Sequence, residues 1–529
     1  MKTILKYFNI LVVALLFLQC SKDETPAPIA IVEPPEEEVN LAPDEPIDPV
    51  PANNSVLEEF TNVTLSWTSS DPNEDPLTFD VYFGQEISDL ELIAENLSNP
   101  NFTLDLIDTG ESFLWKVVAK DDQGLSTESK VFFFDTLENV LSEDVFLKTQ
   151  QEVIDFGSQG YTKIEGSFVL GFGDETVNIS DLTPLASLNK ITGELDIRNT
   201  ELTSLKGLNQ VTQILGNVEI EDNLLLSSLE GLENLKSIGG DLQLSTNLVL
   251  VDISALARIT KLENLLLSEN VSLQRLDGLE NLSSIAVDLT IEGMLTLQNL
   301  EGLNSLEFVE DVITIHRNPF LRSFNGLNAL AHAKTLEIFE NMNLEDLGSL
   351  DRLVLLDELN IGENEKLTDI SGLKNLQEVT SSLFIGFNDS LKDLRGLQSL
   401  TSVGARLTIR RNDQLFSLDG LEALVSVGAN LGIEVNENLD NIKGLSNLQN
   451  VGDDLIISGN IGLLNLLGLE NLIDITDDLS INNNDRLSDY CALKPLFEDG
   501  KIGGVFSTNG NSYDPTEKDI KEGRCIPNS

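Results

Sequence analysis

Leu407 and Ile409 are apolar residues flanking the polar Thr408, and Leu415, Leu418, Leu421 and Leu424 then follow at three-residue intervals. The alternation predicts a short strand with Leu407 and Ile409 facing inward. The whole phrase, LTIRRNDQLFSLDGLEAL, returns 24 residues later as LGIEVNENLDNIKGLSNL and then as LIISGNIGLLNLLGLENL. Aligned on the Gly of Gly-Leu, the copies are anchored at Gly207, Gly231, Gly278, Gly302, Gly326, Gly372, Gly396, Gly420, Gly444 and Gly468, with Pro184, Ala255, Ser349 and Ala492 in the same slot. A fixed period of 23 or 24 residues over 14 copies is the mark of a solenoid. One copy cannot bury its own leucines, so neighbours must stack into a shared core. With strands about 4.8 Å apart, 14 coils make a rod of about 65 Å.

Past each strand an Asn recurs, two or three residues after the inward Ile or Leu. The series is Asn199, Asn223, Asn247, Asn270, Asn318, Asn341, Asn364, Asn388, Asn412, Asn436, Asn460 and Asn484, broken by Met294. A carboxamide both donates and accepts, so a stacked column of them satisfies backbone groups at the bend of every coil.

A different period governs residues 48–137. NVTLSWT and LTFDVYFG alternate apolar and polar residues on both sides of the turn SSDPNEDP, and FLWKVVAKDDQG and SKVFFFDT add two more strands. This pattern predicts a β-sandwich. Asp71, Asn73 and Asp75 place oxygen at alternate positions of the turn, which suits calcium, although a plain polar turn has the same composition. Calcium is the one cofactor the sequence points to.

The solenoid needs ends. Thr149 and Glu152 form a capping-box pattern, so a short helix is expected before the first coil, within an N-terminal cap over 145–165. Residues 487–529 break the repeat and are expected to form the C-terminal cap of a solenoid domain spanning 138–529.

Composition narrows the function. Lys plus Arg is 33 and Asp plus Glu is 88, giving a formal net charge of −55. Such a surface excludes nucleic acid as a partner and gives no electrostatic attraction to anionic lipid. With two histidines and three cysteines, a His/Cys metal cluster is excluded by arithmetic. No nucleophile motif or phosphate loop is present.

At the N-terminus Lys2 and Lys6 precede a 12-residue apolar run at 7–18, too short to span a bilayer as a helix. The run ends on Cys20 and resembles a bacterial lipoprotein signal (1–19). There the Cys is freed and lipidated, which implies a lipid-anchored protein of the outer membrane. The phrase FLQC departs from the family pattern, with Phe17 for Leu and Gln19 for a small residue. Ser21-Lys22-Asp23-Glu24 resembles the tag that directs such lipoproteins to the cell surface. Residues 23–54 hold eight of the 16 prolines, so 20–47 reads as an extended linker. With Cys20 lipidated in an exported chain, Cys491 and Cys525 have only each other for a disulfide.

Two further resemblances are carried by residues already quoted. The stretch 48–137 resembles a fibronectin type III or related immunoglobulin-like domain, with Trp67 as its core Trp. Phe113 or Leu114 stands where a Tyr is usual. Three residues intervene in Val427-Gly428-Ala429-Asn430-Leu431, where leucine-rich repeats have one. That spacing resembles the receptor L domain, a right-handed, leucine-rich-repeat-like parallel β-solenoid of receptor ectodomains and bacterial surface lipoproteins.

Taken together, these features imply a mainly β, non-catalytic binding or adhesion protein, touching the membrane only through its lipid and holding an extracellular glycan or protein. A spacer or coat protein is the alternative, and a β-solenoid polysaccharide-degrading enzyme a more remote one. The candidate binding face follows the outward position after each inward Ile: His316, Phe339, Gly362, Gly386 and Arg410. Phe384 lies in the neighbouring outward column, and Arg406 precedes Leu407. Aromatic rings suit sugar stacking or a partner's apolar anchor, and guanidinium suits carboxylate or sulfate. Two glycines in successive coils are expected to form a floor between these walls.

Overall fold

The computed structural model describes residues 39–57, 61–107, 110–173 and 177–527. The signal segment, Cys20 and the linker up to residue 38 lie outside the described residues. The chain is mainly β, and most of it is a parallel β-solenoid of about 15 turns. One parallel sheet of 16 strands runs its length, from Val145–Leu147 to Phe506–Asn509. Strands pair in register: Leu383, Leu407 and Leu431 stack, as do Ile385, Ile409 and Ile433. These leucines and isoleucines are buried, while Thr408 and Arg410 between them stay half-exposed. Each coil therefore shows one apolar edge to the core and one variable edge to solvent.

The three-residue spacer has a structural cause. Val403 and Val427 belong to two-residue strands, Ser402–Val403 and Ser426–Val427, which stack into a second, narrower set of parallel sheets. The spacer carries the chain round the bend from that face to the main sheet. Corners come in two forms. Gly420 has φ +112°, and a Cβ there would lie 2.0 Å from Leu394 O, so only Gly fits. Where Pro184, Ala255 or Ala492 fills the slot, and also at Gly372 and Gly444, the corner is a turn of 3-10 helix instead. Asp181, Asp252 and Asp489 cap the turns at Pro184, Ala255 and Ala492 by accepting the N–H two residues on.

Asn223, Asn247, Asn270, Asn318, Asn341, Asn364, Asn388, Asn412, Asn436, Asn460 and Asn484 are fully buried and form a ladder. In a typical rung Asn388 Oδ1 accepts the N–H of Asn364 at 3.2 Å, and its Nδ2 donates to Ile361 O at 3.0 Å. Asn199 is corrected: it lies outside the ladder, and Thr200 holds its rung, with N–H and Oγ1 both on Asn223 Oδ1. The slot is always the third residue after the inward Ile or Leu, and Asn199 is the second. The ladder also extends one rung further than expected, to Asn511 inside the C-terminal cap.

The first helix, Gln150–Gly157, carries the expected Thr149/Glu152 capping box. It does not precede the first coil, however. The strand Val145–Leu147 comes before it and pairs with Phe168–Leu170, so the helix is the outer arc of that coil. Cys491 and Cys525 form a disulfide, Cα atoms 4.9 Å apart.

The N-terminal unit has two sheets. One contains Ile47–Val50, Thr61–Thr68 and Asn101–Leu106; the other is built round Ser112–Lys120, flanked by Thr78–Gly84 and Phe132–Thr136. Leu65 and Trp67 from the first meet Phe79, Val81, Trp115 and Phe134 from the second in one core. Phe113 is buried in that core, and Leu114 points to the other side of its strand. The linker boundary at 47 is also corrected. Pro43 and Pro46 are buried, and Asp44 N–H donates to Ser70 O, so the segment from residue 39 onward belongs to this unit. Among the described residues no helix is long and apolar enough to cross a membrane.

Candidate functional site

In-register stacking turns the outward positions of the main sheet into two columns. One runs Glu337, Asn360, Phe384, Thr408, Gly432 and Ile456; the other His316, Phe339, Gly362, Gly386, Arg410 and Glu434. The Phe339 and Phe384 rings lie 6.4 Å apart with planes inclined by 26°. Gly362 makes this arrangement possible. A Cβ there would come 2.6 Å from the Phe339 ring and 3.1 Å from the Phe384 ring, and one at Gly386 would come 2.4 Å from the Phe384 ring. The expected glycine floor with aromatic walls is thus corrected. The rings lie over the glycines and are themselves the floor.

A depression of about 630 Å³ opens here, lined by Phe339, Phe384, Arg406, Thr408 and Arg410 together with Glu337, Glu358 and Glu434. Four of the five predicted ligand-binding residues therefore share one surface. His316 does not. Although it pairs in register with Phe339, its imidazole faces Glu292 on the preceding coil, at 3.4 Å without hydrogen-bond geometry.

Among the described residues Arg406, Arg410 and Arg411 form no ion pair, as is also true of Arg258 and Arg486, whereas Arg198, Arg317 and Arg524 each do. Arg410 Nε is buried without a hydrogen-bond partner. Glu434 is the register neighbour of Arg410, but its carboxylate lies over Gly432 instead. Arg410 and Arg411 place their guanidinium carbons 5.6 and 5.5 Å from the Phe387 ring. Sequence reasoning missed Phe387 and Arg411 because alternation stops at the strand end. Both occupy the position before the Asn rung, where φ is +60° and +53°. The left-handed turn at that position recurs coil after coil and is visible in the sequence only as the residue before each Asn.

Chemically the surface offers two flat apolar faces beside unpaired, forked cations. That arrangement suits a ring bearing carboxylate or sulfate.

The calcium motif resolves differently from its sequence spacing. Asp71 Oδ1 accepts the N–H of Asn73 at 2.8 Å and of Asp75 at 3.3 Å, closing the turn. Asn73 is corrected as a ligand: its Oδ1 accepts Leu41 N–H, and its Nδ2 donates to Val39 O. Asp121, at the end of the strand Ser112–Lys120, takes its place. Oxygens of Asp71, Asp75 and Asp121 lie within 4.8 Å of one another. Burial, then the charges of Asp122, Asp71 and Asp121, push the Asp75 carboxyl above its ordinary range. Burial also works upward on Asp121, but hydrogen bonds from Asn40 and from the Leu125, Gln123 and Gly124 N–H groups outweigh it and hold that carboxyl low.

No family model and no curated protein matches this chain. Among solved structures it is similar to a pectate lyase, PelI from Erwinia chrysanthemi in complex with tetragalacturonic acid, at 11% identity over 61% of this chain and 79% of that one, TM-score 0.12. It is also similar to pectate lyase Pel3 from Pectobacterium carotovorum, at 13% identity over 63% of this chain and 86% of that one, TM-score 0.13. At these TM-scores the likeness carries no argument about fold or activity.

Proposed function

We propose that this chain is a non-catalytic binding protein that holds an acidic glycan on the main sheet of its solenoid. The observation that carries the reading is the pairing of the Phe339 and Phe384 rings with Arg410, whose Nε is buried and unpartnered. A net charge of −55 opposes polyanions in general, so the reading rests on the local placement of Arg406 and Arg410, free of ion pairs, beside the two rings. Sugar rings stack on the aromatic floor while their carboxylates or sulfates meet Arg406 and Arg410.

The rest of the reading rests on sequence. Cys20 supplies a lipid anchor in the outer membrane, and the Ser21-Lys22-Asp23-Glu24 tag supports exposure at the cell surface. The two-sheet N-terminal unit is read as a fibronectin type III-like sandwich acting as a spacer. The solenoid is read as a right-handed receptor L-like domain.

Binding of alginate, polygalacturonate and heparin, measured against neutral dextran, tests the proposal. Retention of an acidic polymer without the appearance of shorter or unsaturated products supports it. Cleavage would make the chain an enzyme, and no retention would favour a spacer. The spacer reading has one observation of its own: the Asn ladder runs almost unbroken along the rod. Protease shaving of intact cells tests surface exposure separately.

A further inference from the structure

We propose that Asp71, Asp75 and Asp121, joined by Asn40, form a calcium site that fastens the incoming N-terminal segment to the first unit. An acidic trio alone would be unremarkable in so acidic a chain. What sets this one apart is unmet bonding capacity on buried atoms. Asp71 is only 9% exposed, and its Oδ2 has no hydrogen-bond partner. Asn40 Oδ1 is likewise buried and unpartnered, while its Nδ2 donates to Asp121 Oδ2 at 2.8 Å. One of the three clustered carboxylates thus carries an orphaned acceptor, a second orphan sits on the carboxamide bonded to Asp121, and among the described residues no Lys or Arg pairs with any of them. A buried acceptor without a donor is costly, and a cation satisfies several at once.

The other acidic trios lack this feature. Glu194, Asp196 and Glu219 already have a cation, because Arg198 bridges Asp196 and Glu219. Asp453, Asp454 and Asp477 are half-buried to exposed, with no orphaned oxygen among them.

The ligand chemistry selects calcium. All donors are hard oxygens, and both histidines lie in the solenoid. Oxygens within 4.8 Å of one another lie at most about 2.8 Å from a common point, so a contraction of a few tenths of an ångström brings all three to the roughly 2.3–2.6 Å typical of calcium. A half-turn of the Asn40 carboxamide would replace its nitrogen, now on Asp121, with the orphaned Oδ1.

The consequence concerns the segment entering from the linker. Leu41 N–H already rests on Asn73 Oδ1 and Asp44 N–H on Ser70 O. An ion held by Asn40 on one side and by Asp71, Asp75 and Asp121 on the other would lock that segment down and stiffen the point where the linker meets the first unit.

The test is calcium titration of the mature chain, after chelation, by calorimetry and by hydrogen exchange. The expected result is binding in the ~0.1–1 mM range of extracellular sites, with exchange at Leu41 and Asp44 slowed at least about tenfold and solenoid amides unaffected. Asp75→Asn and Asp121→Asn should each abolish the slowing. Both variants keep an acceptor oxygen for the existing bonds from Gln123 and Leu125. Asp453→Asn should leave it intact. Absence of slowing at calcium about tenfold above that range overturns the proposal. So does slowing that persists in both site variants, which would place the ion elsewhere on the acidic surface.

Discussion

Asn364 Oδ1 receives two hydrogen bonds from Asn341, one from its backbone N–H at 3.1 Å and one from its Nδ2 at 3.3 Å. Asn364 Nδ2 in turn donates to Ile338 O at 2.9 Å. One buried carboxamide thus closes the bend of the preceding coil, and the next coil does the same for it.

Met294 breaks this chain. Its own N–H still finds Asn318 Oδ1 at 3.0 Å, but its thioether offers Asn270 no carboxamide acceptor. Asn270 Nδ2 keeps the bonds to Leu244 O and Ser268 O that intact rungs also make, so what is missing is the acceptor on the next coil. Met294→Asn should restore the rung and raise stability by about 1 kcal/mol, the usual net value of a hydrogen bond. Denaturant unfolding measures this; an unchanged or lower midpoint would mean that the buried Met contributes more by packing than the rung would by bonding.

Val435 occupies the position before the Asn436 rung with φ +54°, a conformation in which a β-branched residue is strained. Gly459 holds the same position one coil later. Val435→Gly should therefore stabilise the solenoid by about 1 kcal/mol, after the greater chain entropy of Gly is offset against the relieved strain. The melting temperature should rise; a fall would show that the Val side chain contributes more by its contacts than its backbone loses.

The C-terminal cap is held by the Cys491–Cys525 disulfide across 34 positions. Replacing both by Ser should cost about 3–4 kcal/mol in the loop-entropy account. The loss should be confined to the last coils, because each coil contacts mainly its neighbours. Hydrogen exchange rising only beyond about the last two coils is the expected pattern.

Acid should loosen the same cap. The Thr516 hydroxyl, Arg524 and the Thr516 N–H hold the Asp519 carboxyl far below its ordinary 3.8. A carboxyl depressed in the folded state stabilises it above that ordinary value, and the contribution is lost as pH falls through the folded one. The helix Glu517–Lys521 should therefore resist pepsin near about pH 4 and yield progressively at lower pH. Asp519→Asn should yield across that whole window, with no dependence of this kind.

The architecture of the solenoid was legible because one coil is one repeat. Leu407 and Ile409 recur as Leu431 and Ile433, and a periodic apolar edge has few other uses. The ladder was legible for the same reason, except at its ends. Thr200 was overlooked because the neighbouring Asn199 has the expected side chain, although a Thr hydroxyl serves the rung as well. Asn511 was overlooked because the longer cap segment throws the 24-residue count out of step. The site was half-legible. Register brought Phe339, Phe384 and Arg410 together, since column neighbours follow from the period. The direction of each side chain did not follow. Nothing in the sequence says that Phe384 leans across to Gly386, or that His316 turns to Glu292. Asp121 was invisible beside Asp71 because their proximity comes from strand pairing in a unit without repeats.

The central claim is that the aromatic and basic depression binds an acidic glycan, and affinity of point variants for alginate tests it most directly. Arg410→Ala and Phe384→Ala should each weaken binding about tenfold or more, about 1.4 kcal/mol, with melting temperatures unchanged. Neither side chain belongs to the buried core, so the fold should tolerate both changes. Wild-type binding that survives both substitutions undiminished would contradict the account and place the ligand elsewhere on the chain.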